Sequence, residues 1–166
     1  MPCVQSFNAR FGGLSEAYRL IGYNPIRNLA FIERDRGLLS VRRHFTATII
    51  SKLREMGLTV TQNSRSRLLT LNMTLTVRLT VARCRSFGQS YGWLLRTHSA
   101  TNPDITVVAR LDPGNEQFKD FFCVPQLAIG QLGQEVLRPG SESQFEKYRH
   151  EDFSFLGTLV RETGNE

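Results

Sequence analysis

The chain has 166 residues, of which 40% are apolar and 22% charged. That length suits one domain with a single core, and the apolar share excludes a chain that is disordered throughout. No apolar run approaches the roughly 18 residues that a membrane span needs, so we expect no membrane contact.

The first residues and the cysteines indicate the compartment. Residues 1–10 lack the charged and apolar regions of a secretory leader, so we expect none. Three cysteines lie far apart and form neither a metal-ligand pair nor a disulfide pattern. We therefore expect a cytoplasmic protein with no metal site and no resident cofactor.

The net charge of +6 is unevenly distributed. Residues 1–100 carry a net charge of +11, residues 101–166 carry −5, and residues 61–100 hold six Arg and no acid. Only three of the 21 cations are Lys. Because Arg binds phosphate in a bidentate way, this pattern favours a nucleic acid, above all DNA, as partner. A GC-rich genome would give the same excess of Arg over Lys. The alternative to DNA as partner is an acidic protein, or a second copy of this chain in a homodimer.

The first half of the chain predicts helices. Residues 1–13 suggest a flexible arm ending in two glycines. A helix is expected from Ser15 to Ile21, and a second from Asn24 to about Arg36, with Pro at its first position. A third, capped by Ser40 and stopped by Gly57, has apolar residues every three or four positions and basic residues on its other face.

Strands are expected after Gly57, where the apolar period changes to two. The predicted strands are Leu58–Gln62, Leu68–Leu71, Leu75–Arg83, Tyr91–Thr97, Ile105–Leu111 and Phe121–Val124. Residues 85–90 are predicted to be a polar loop, and Asp112-Pro113-Gly114-Asn115 a tight turn. Trp93 is expected in the core, with a base-stacking role as the alternative.

These elements predict an α/β (α+β) fold. N-terminal helices precede a central mixed or antiparallel sheet of about five or six strands, and a short helix, Phe153–Arg161, follows. Residues 14–166 would be a single domain with a helical part (14–57), a sheet (58–125) and C-terminal loops with a helix (126–166).

Arginines are the candidate nucleic-acid contacts, because they lie on predicted helices and on the acid-free strands. They are Arg27, Arg34, Arg42, Arg43, Arg65, Arg67, Arg78, Arg83 and Arg85. The first two helices resemble a helix-turn-helix, although two packed helices with solvated charges would show the same pattern.

The order of elements from residue 40 to 126 resembles the PD-(D/E)XK (restriction endonuclease-like) nuclease superfamily. The resemblance lies in the helix ending at Gly57, strand 75–83, Trp93, the strand headed by Pro103-Asp104, and the ending Val124-Pro125. It implies a nuclease-like scaffold whose members hold Mg²⁺ with two acids on adjacent strands. The whole sequence is also similar to uncharacterised bacterial proteins associated with mobile elements.

The metal-binding pattern of that superfamily is incomplete in this chain. Strand 75–83 has Arg78 and Thr80 where an acid and a Lys are expected, and Asn72 stands where an Asp is expected. We therefore favour a DNA-binding protein on a degenerate nuclease-like scaffold. The alternatives are an active Mg²⁺-dependent nuclease that uses Asp104 and Asp112, with Glu116 as a third acid, and a protein-interaction module.

Overall fold

A computed structural model describes residues 9–23, 30–96, 102–128, 134–140 and 144–163. Residues Met1–Arg43 and His44–Glu166 form two compact units, which are described separately below. Among the described residues, no helix combines the length and the apolar character that crossing a membrane requires.

The first unit contains helix α1, Leu14–Leu20, and the beginning of helix α2. Gly13, and not Ser15, is the residue that precedes the first turn of α1. Residues 9–11 are also helical, and the expected flexible arm of residues 1–13 stays a prediction. Residues 1–8 lie outside the described part of the chain.

Helix α2 spans Ala30–Glu55 without interruption. The expected break at Gly37 and the expected cap at Ser40 are therefore wrong. A glycine inside a helix costs only about 1 kcal/mol relative to alanine, which a long helix with many other good helix formers tolerates. Further along, α2 buries the predicted apolar residues Phe45, Ile49 and Leu53 completely.

The second unit is built on a six-stranded mixed sheet. Its strands are β1 (Val60–Gln62), β2 (Leu69–Leu71), β3 (Leu75–Ala82), β6 (Ile105–Leu111), β7 (Phe118–Pro125) and β9 (Arg149–His150), in that spatial order. Strands β3 and β6 are parallel, and the other neighbours are antiparallel. The predicted fold class and the size of the central sheet are confirmed.

A second, three-stranded antiparallel sheet was not predicted. It contains β4 (Cys84–Phe87), β5 (Ser90–Arg96) and β8 (Gln134–Leu137), in that order. The predicted loop at residues 85–90 is wrong for most of its length, because a tight turn at residues 88–89 joins two strands there. Gly92 lets the strands approach, since a Cβ on it would lie 2.5 Å from the carbonyl oxygen of Leu137.

The main sheet has a core on each face. One face meets α2 and the final helix α3 (Phe155–Thr163). Phe45 stacks on Phe121, and the ring of Phe155 packs against Phe121 at a tilt of 40°. The other face is buried against the small sheet, which contributes Trp93, Leu95 and Leu137 to one cluster with Val108 and Phe122. The short C-terminal helix is thereby confirmed, beginning two residues later than expected.

Candidate nucleic-acid interface

Strands β1, β2 and β3 form an edge of the main sheet that we call the ribbon, residues 60–82. The ribbon contains three Arg, five Thr and no Asp or Glu. Guanidinium and hydroxyl groups are common donors to phosphate oxygens. The ribbon therefore has the composition of a phosphate-binding surface, and its two turns decide how that composition is displayed.

The turn between β1 and β2 is closed by Asn63. Its backbone N–H donates to Leu68 at 2.9 Å, and its carbonyl accepts the N–H of Arg67 at 2.8 Å. Its side-chain oxygen accepts the N–H groups of Arg65 and Ser66, each at 2.9 Å. This Asx-type arrangement fixes the backbone of the turn, and the side chains of Arg65 and Arg67 are exposed.

Arg78 lies close to that turn, on β3. The pairing of Leu69 with Val77 places Leu68, the last residue of the turn segment, opposite Arg78. Thr76 and Thr80 share its face of the strand, and all three side chains are half-buried. Burial lowers the pKa of the Arg78 guanidinium.

Arg83 and Arg85 lie beyond the ribbon, where the chain passes to the small sheet. Arg83 connects β3 to β4 and is half-buried, whereas Arg85 is exposed on β4. The start of β4 is held by Asn115, whose side-chain oxygen accepts the N–H of Cys84 at 2.6 Å and whose amide donates to the carbonyl of Cys84 at 3.2 Å. These two arginines therefore sit on a fixed connection between the two sheets.

The arginines predicted on the helices belong to the first unit, and the ribbon belongs to the second. Arg27 lies outside the described residues, and so does the side chain of Arg34. Arg42 and Arg43 are on α2 in the first unit, half-buried and exposed respectively. Their role in nucleic-acid contact stays a prediction.

Asp104 ties β6 to β3. Its Oδ2 accepts hydrogen bonds from the backbone N–H of Thr76 at 2.7 Å and from the Thr76 hydroxyl at 2.6 Å. The backbone carbonyl of Asp104 accepts the N–H of Gln126 at 2.7 Å. Asp104 thus joins the ends of three strands, which is a structural use for this candidate acid.

Asp112 organises the turn between β6 and β7. Its Oδ1 accepts the backbone N–H groups of Glu116 at 2.8 Å and Gln117 at 3.2 Å. Backbone hydrogen bonds from Gln117 and Glu116 hold the pKa of the Asp112 carboxyl below its ordinary value. The predicted turn at this position is therefore correct.

Asp104 and Asp112 lie at opposite ends of β6. Eight residue steps in a strand separate them by about 26 Å, at about 3.3 Å per residue. Carboxylates that share one divalent ion must each lie about 2.0 to 2.6 Å from it, so these two do not hold the same ion. Among the described residues, no group of three or more His, Cys, Asp or Glu could hold a metal.

Asn72 occupies the position where the superfamily pattern expects an Asp, and its side chain also has a structural partner. Its side-chain oxygen accepts the N–H of Thr59 at 2.9 Å, and its own N–H donates to the Thr59 carbonyl at 2.9 Å. The amide therefore ties the β2–β3 turn to the residue before β1.

A buried charge network was missed from the sequence. Arg110 donates from Nε to Oδ1 of Asp120 at 2.7 Å and from Nη2 to the other oxygen, and Arg149 donates to Asp120 at 3.0 Å. Asp120 is fully buried. The strand around Arg110 is otherwise apolar, and no partner was predicted for Arg110. An Arg on one strand and an Asp ten residues later, across a tight hairpin, is the signal that could have revealed the pair.

Trp93 is a core residue, as expected. It is 1% exposed, and its indole N–H donates to the carbonyl of Leu111 at 2.6 Å. The guanidinium of Arg110 lies 4.7 Å from its ring centroid. The indole therefore joins the two sheets, and the alternative of a base-stacking platform does not fit its burial.

No protein-family model matches this chain. No curated protein matches it either. Among solved structures, the chain is similar to a bacterial homing endonuclease, I-Ssp6803I, with a TM-score of 0.47 and 15% sequence identity. The match covers 76% of this chain and 97% of that one.

Proposed function

We propose that this protein binds DNA through phosphate contacts made by the arginines of the ribbon. The observation that carries the proposal is the turn of residues 63–68, where Asn63 fixes the backbone while Arg65 and Arg67 extend into solvent. Arginine on a rigid support binds phosphate with less loss of conformational freedom than arginine on a mobile loop.

The charge around this turn supports the same interpretation. The stretch from residue 61 to residue 100 contains no acid. Arg78 lies beside the turn, with Thr76 and Thr80 on the same face of β3. A duplex carries one negative charge per about 1.7 Å of its axis, so neighbouring cations on one edge of a sheet can meet several phosphates.

A binding role fits the carboxylates better than metal-dependent cleavage does. Asp104 accepts two hydrogen bonds from Thr76, and Asp112 accepts two from its own turn. In the proposal these acids stabilise strand ends, and the scaffold serves for binding. The nuclease-like order of elements then describes the scaffold and not a cleavage activity.

The proposal is tested by fluorescence anisotropy of a labelled duplex DNA over a series of salt concentrations. We expect tight binding at low salt and a steep linear fall of log K with log salt, because each phosphate contact releases counterions. Single-stranded DNA and duplex RNA of the same length are measured in parallel, and preferential binding of either would replace duplex DNA as the ligand. No binding to any of the three at low salt would end the proposal.

A further inference from the structure

The second turn of the ribbon, between β2 and β3, presents a large apolar side chain at its tip. Met73 is 87% exposed. The turn is tight, because the N–H of Thr74 donates to the carbonyl of Leu71 at 3.1 Å. Isolated apolar side chains on a surface are ordinary, so exposure by itself assigns nothing to Met73.

The backbone makes Met73 an unusual choice for this position. Asn72 and Met73 have φ angles of 47° and 62°, both in the left-handed region. Hairpin turns of this kind favour Asn followed by Gly, because a residue with a Cβ is strained there. Asn72 follows that rule and Met73 does not. The chain therefore displays a methionine where glycine would fold more easily.

The tip is also held rigidly. Asn72 exchanges two hydrogen bonds with the backbone of Thr59, so the turn is tied to the segment that enters β1. A fixed turn keeps its apical side chain pointing away from the sheet. The backbone that carries Met73 is thus fixed before a partner binds, and little further ordering of it is needed on binding.

The surroundings of the tip favour a nucleic acid as that partner. The ribbon has no acid along its length, and the turn of residues 63–68, which carries Arg65 and Arg67, lies at its other end. Six residue steps separate Arg67 from Met73, which is about 20 Å at about 3.3 Å per residue. Apolar side chains such as Met act as wedges between base steps in proteins that bind the minor groove and bend DNA.

We propose that Met73 is a wedge that enters a groove of duplex DNA and disturbs base stacking, while Arg65 and Arg67 hold phosphates at the other end of the ribbon. The inference rests on the proposed DNA-binding function and adds a distortion of the duplex to it. Met73 then contributes little to the electrostatic part of binding and most of the bending.

The test is a short duplex labelled at both ends with an energy-transfer pair, saturated with wild-type protein or with a variant. Wild type should raise the transfer efficiency, Met73→Gly and Met73→Ala should lose most of the rise, and Met73→Leu should keep it. Leu127→Ala is the matched control, because Leu127 is 89% exposed outside the ribbon. It should behave as wild type does.

Three further readouts separate the possible failures. Anisotropy of the same duplex reports binding itself, and its salt dependence should be the same in Met73→Gly as in wild type. Met73→Gly should melt at a higher temperature than wild type, because glycine relieves the positive φ, so any loss of bending is not a loss of folding. A full rise of transfer in Met73→Gly, or none in wild type that binds, overturns the wedge. A wild-type dimer that Met73→Gly converts to a monomer in light scattering overturns it in favour of a second copy of this chain.

Discussion

Arg110 on β6 and Asp120 on β7 face each other in a bidentate ion pair that is almost entirely buried. Arg110 is 6% exposed and Asp120 is fully buried. The guanidinium also lies 4.7 Å from the ring centroid of Trp93 and 5.3 Å from that of Phe122. The pair therefore sits where the small sheet covers the main sheet.

Removing one member of this pair should be strongly destabilising. Asp120→Ala leaves Arg110 buried without its partner, and we expect a loss of about 3–5 kcal/mol in the free energy of unfolding by urea. The double variant Arg110→Met/Asp120→Leu should recover much of that loss, because no charge is then buried at the position, and Arg149 is exposed enough to turn to solvent. A double variant as unstable as Asp120→Ala would show that the network is needed for more than charge balance.

Asp112 should make stability depend on pH in acid. Its folded pKa is lowered by the backbone N–H groups of Gln117 and Glu116, so its contribution is present above the ordinary value of 3.8 and is lost as the pH falls through the folded value. Asp112→Asn keeps an oxygen acceptor for those N–H groups but cannot titrate. We expect the gap in melting temperature between wild type and Asp112→Asn to be largest near neutrality and to close in acid. A difference in melting temperature that stays constant from neutral to acid pH would contradict the role of the Asp112 carboxylate as acceptor of these N–H groups.

Asp104 should matter for stability and not for cleavage. Asp104→Ala removes the acceptor for two groups of Thr76, and we expect a loss of about 1–3 kcal/mol. Thr76→Val should lose less, because its backbone N–H still donates to Asp104, and the double variant should cost less than the sum of the two. A plasmid-nicking assay with Mg²⁺ or Mn²⁺ checks whether Asp104 takes part in DNA cleavage. Nicking by wild type that disappears in Asp104→Ala would restore the metal-dependent nuclease.

The alternation of apolar residues was enough to predict most of the main sheet. Ile105–Leu111 is β6 with the same bounds as predicted, and β3 ends one residue earlier than expected. Burial on both faces did not obscure β6, because its β-branched residues and the Asp-Pro-Gly-Asn turn after it left no competing interpretation. Helix α2 was divided wrongly because Gly37 was interpreted as a terminator, and a local signal of that kind is weaker than the cooperativity of a long helix.

The small sheet could not be predicted from local pattern. Strand β4 reads Cys-Arg-Ser-Phe, a polar sequence whose pairing with β5 is decided by burial of Trp93 and by the hold of Asn115 on Cys84. Asn115 and Cys84 are 31 positions apart in the chain, a separation that no short window contains. Arg149 likewise lies 29 positions beyond Asp120 in the chain, and the two meet because β9 pairs with β7.

The candidate site was predicted in its composition and not in its geometry. The lack of acids around Arg65, Arg67 and Arg78 is visible in the sequence. The positive φ of Met73 and the rigid display of Arg65 and Arg67 depend on backbone hydrogen bonds that only the fold specifies. The helix arginines, Arg27 and Arg34 among them, remain predictions.

The central claim is tested most directly by the salt dependence of duplex DNA binding in Arg65→Gln/Arg67→Gln. The slope of log K against log salt is negative, and in this variant it should be shallower than in wild type by about 1.8. This is about 0.9 for each phosphate that the protein no longer neutralises. Lys147→Gln/Arg161→Gln is the matched control, because it removes two exposed cations from the C-terminal part of the chain, and it should keep the wild-type slope. Equal slopes in wild type and in Arg65→Gln/Arg67→Gln, or an equal decrease in the control, would contradict the account.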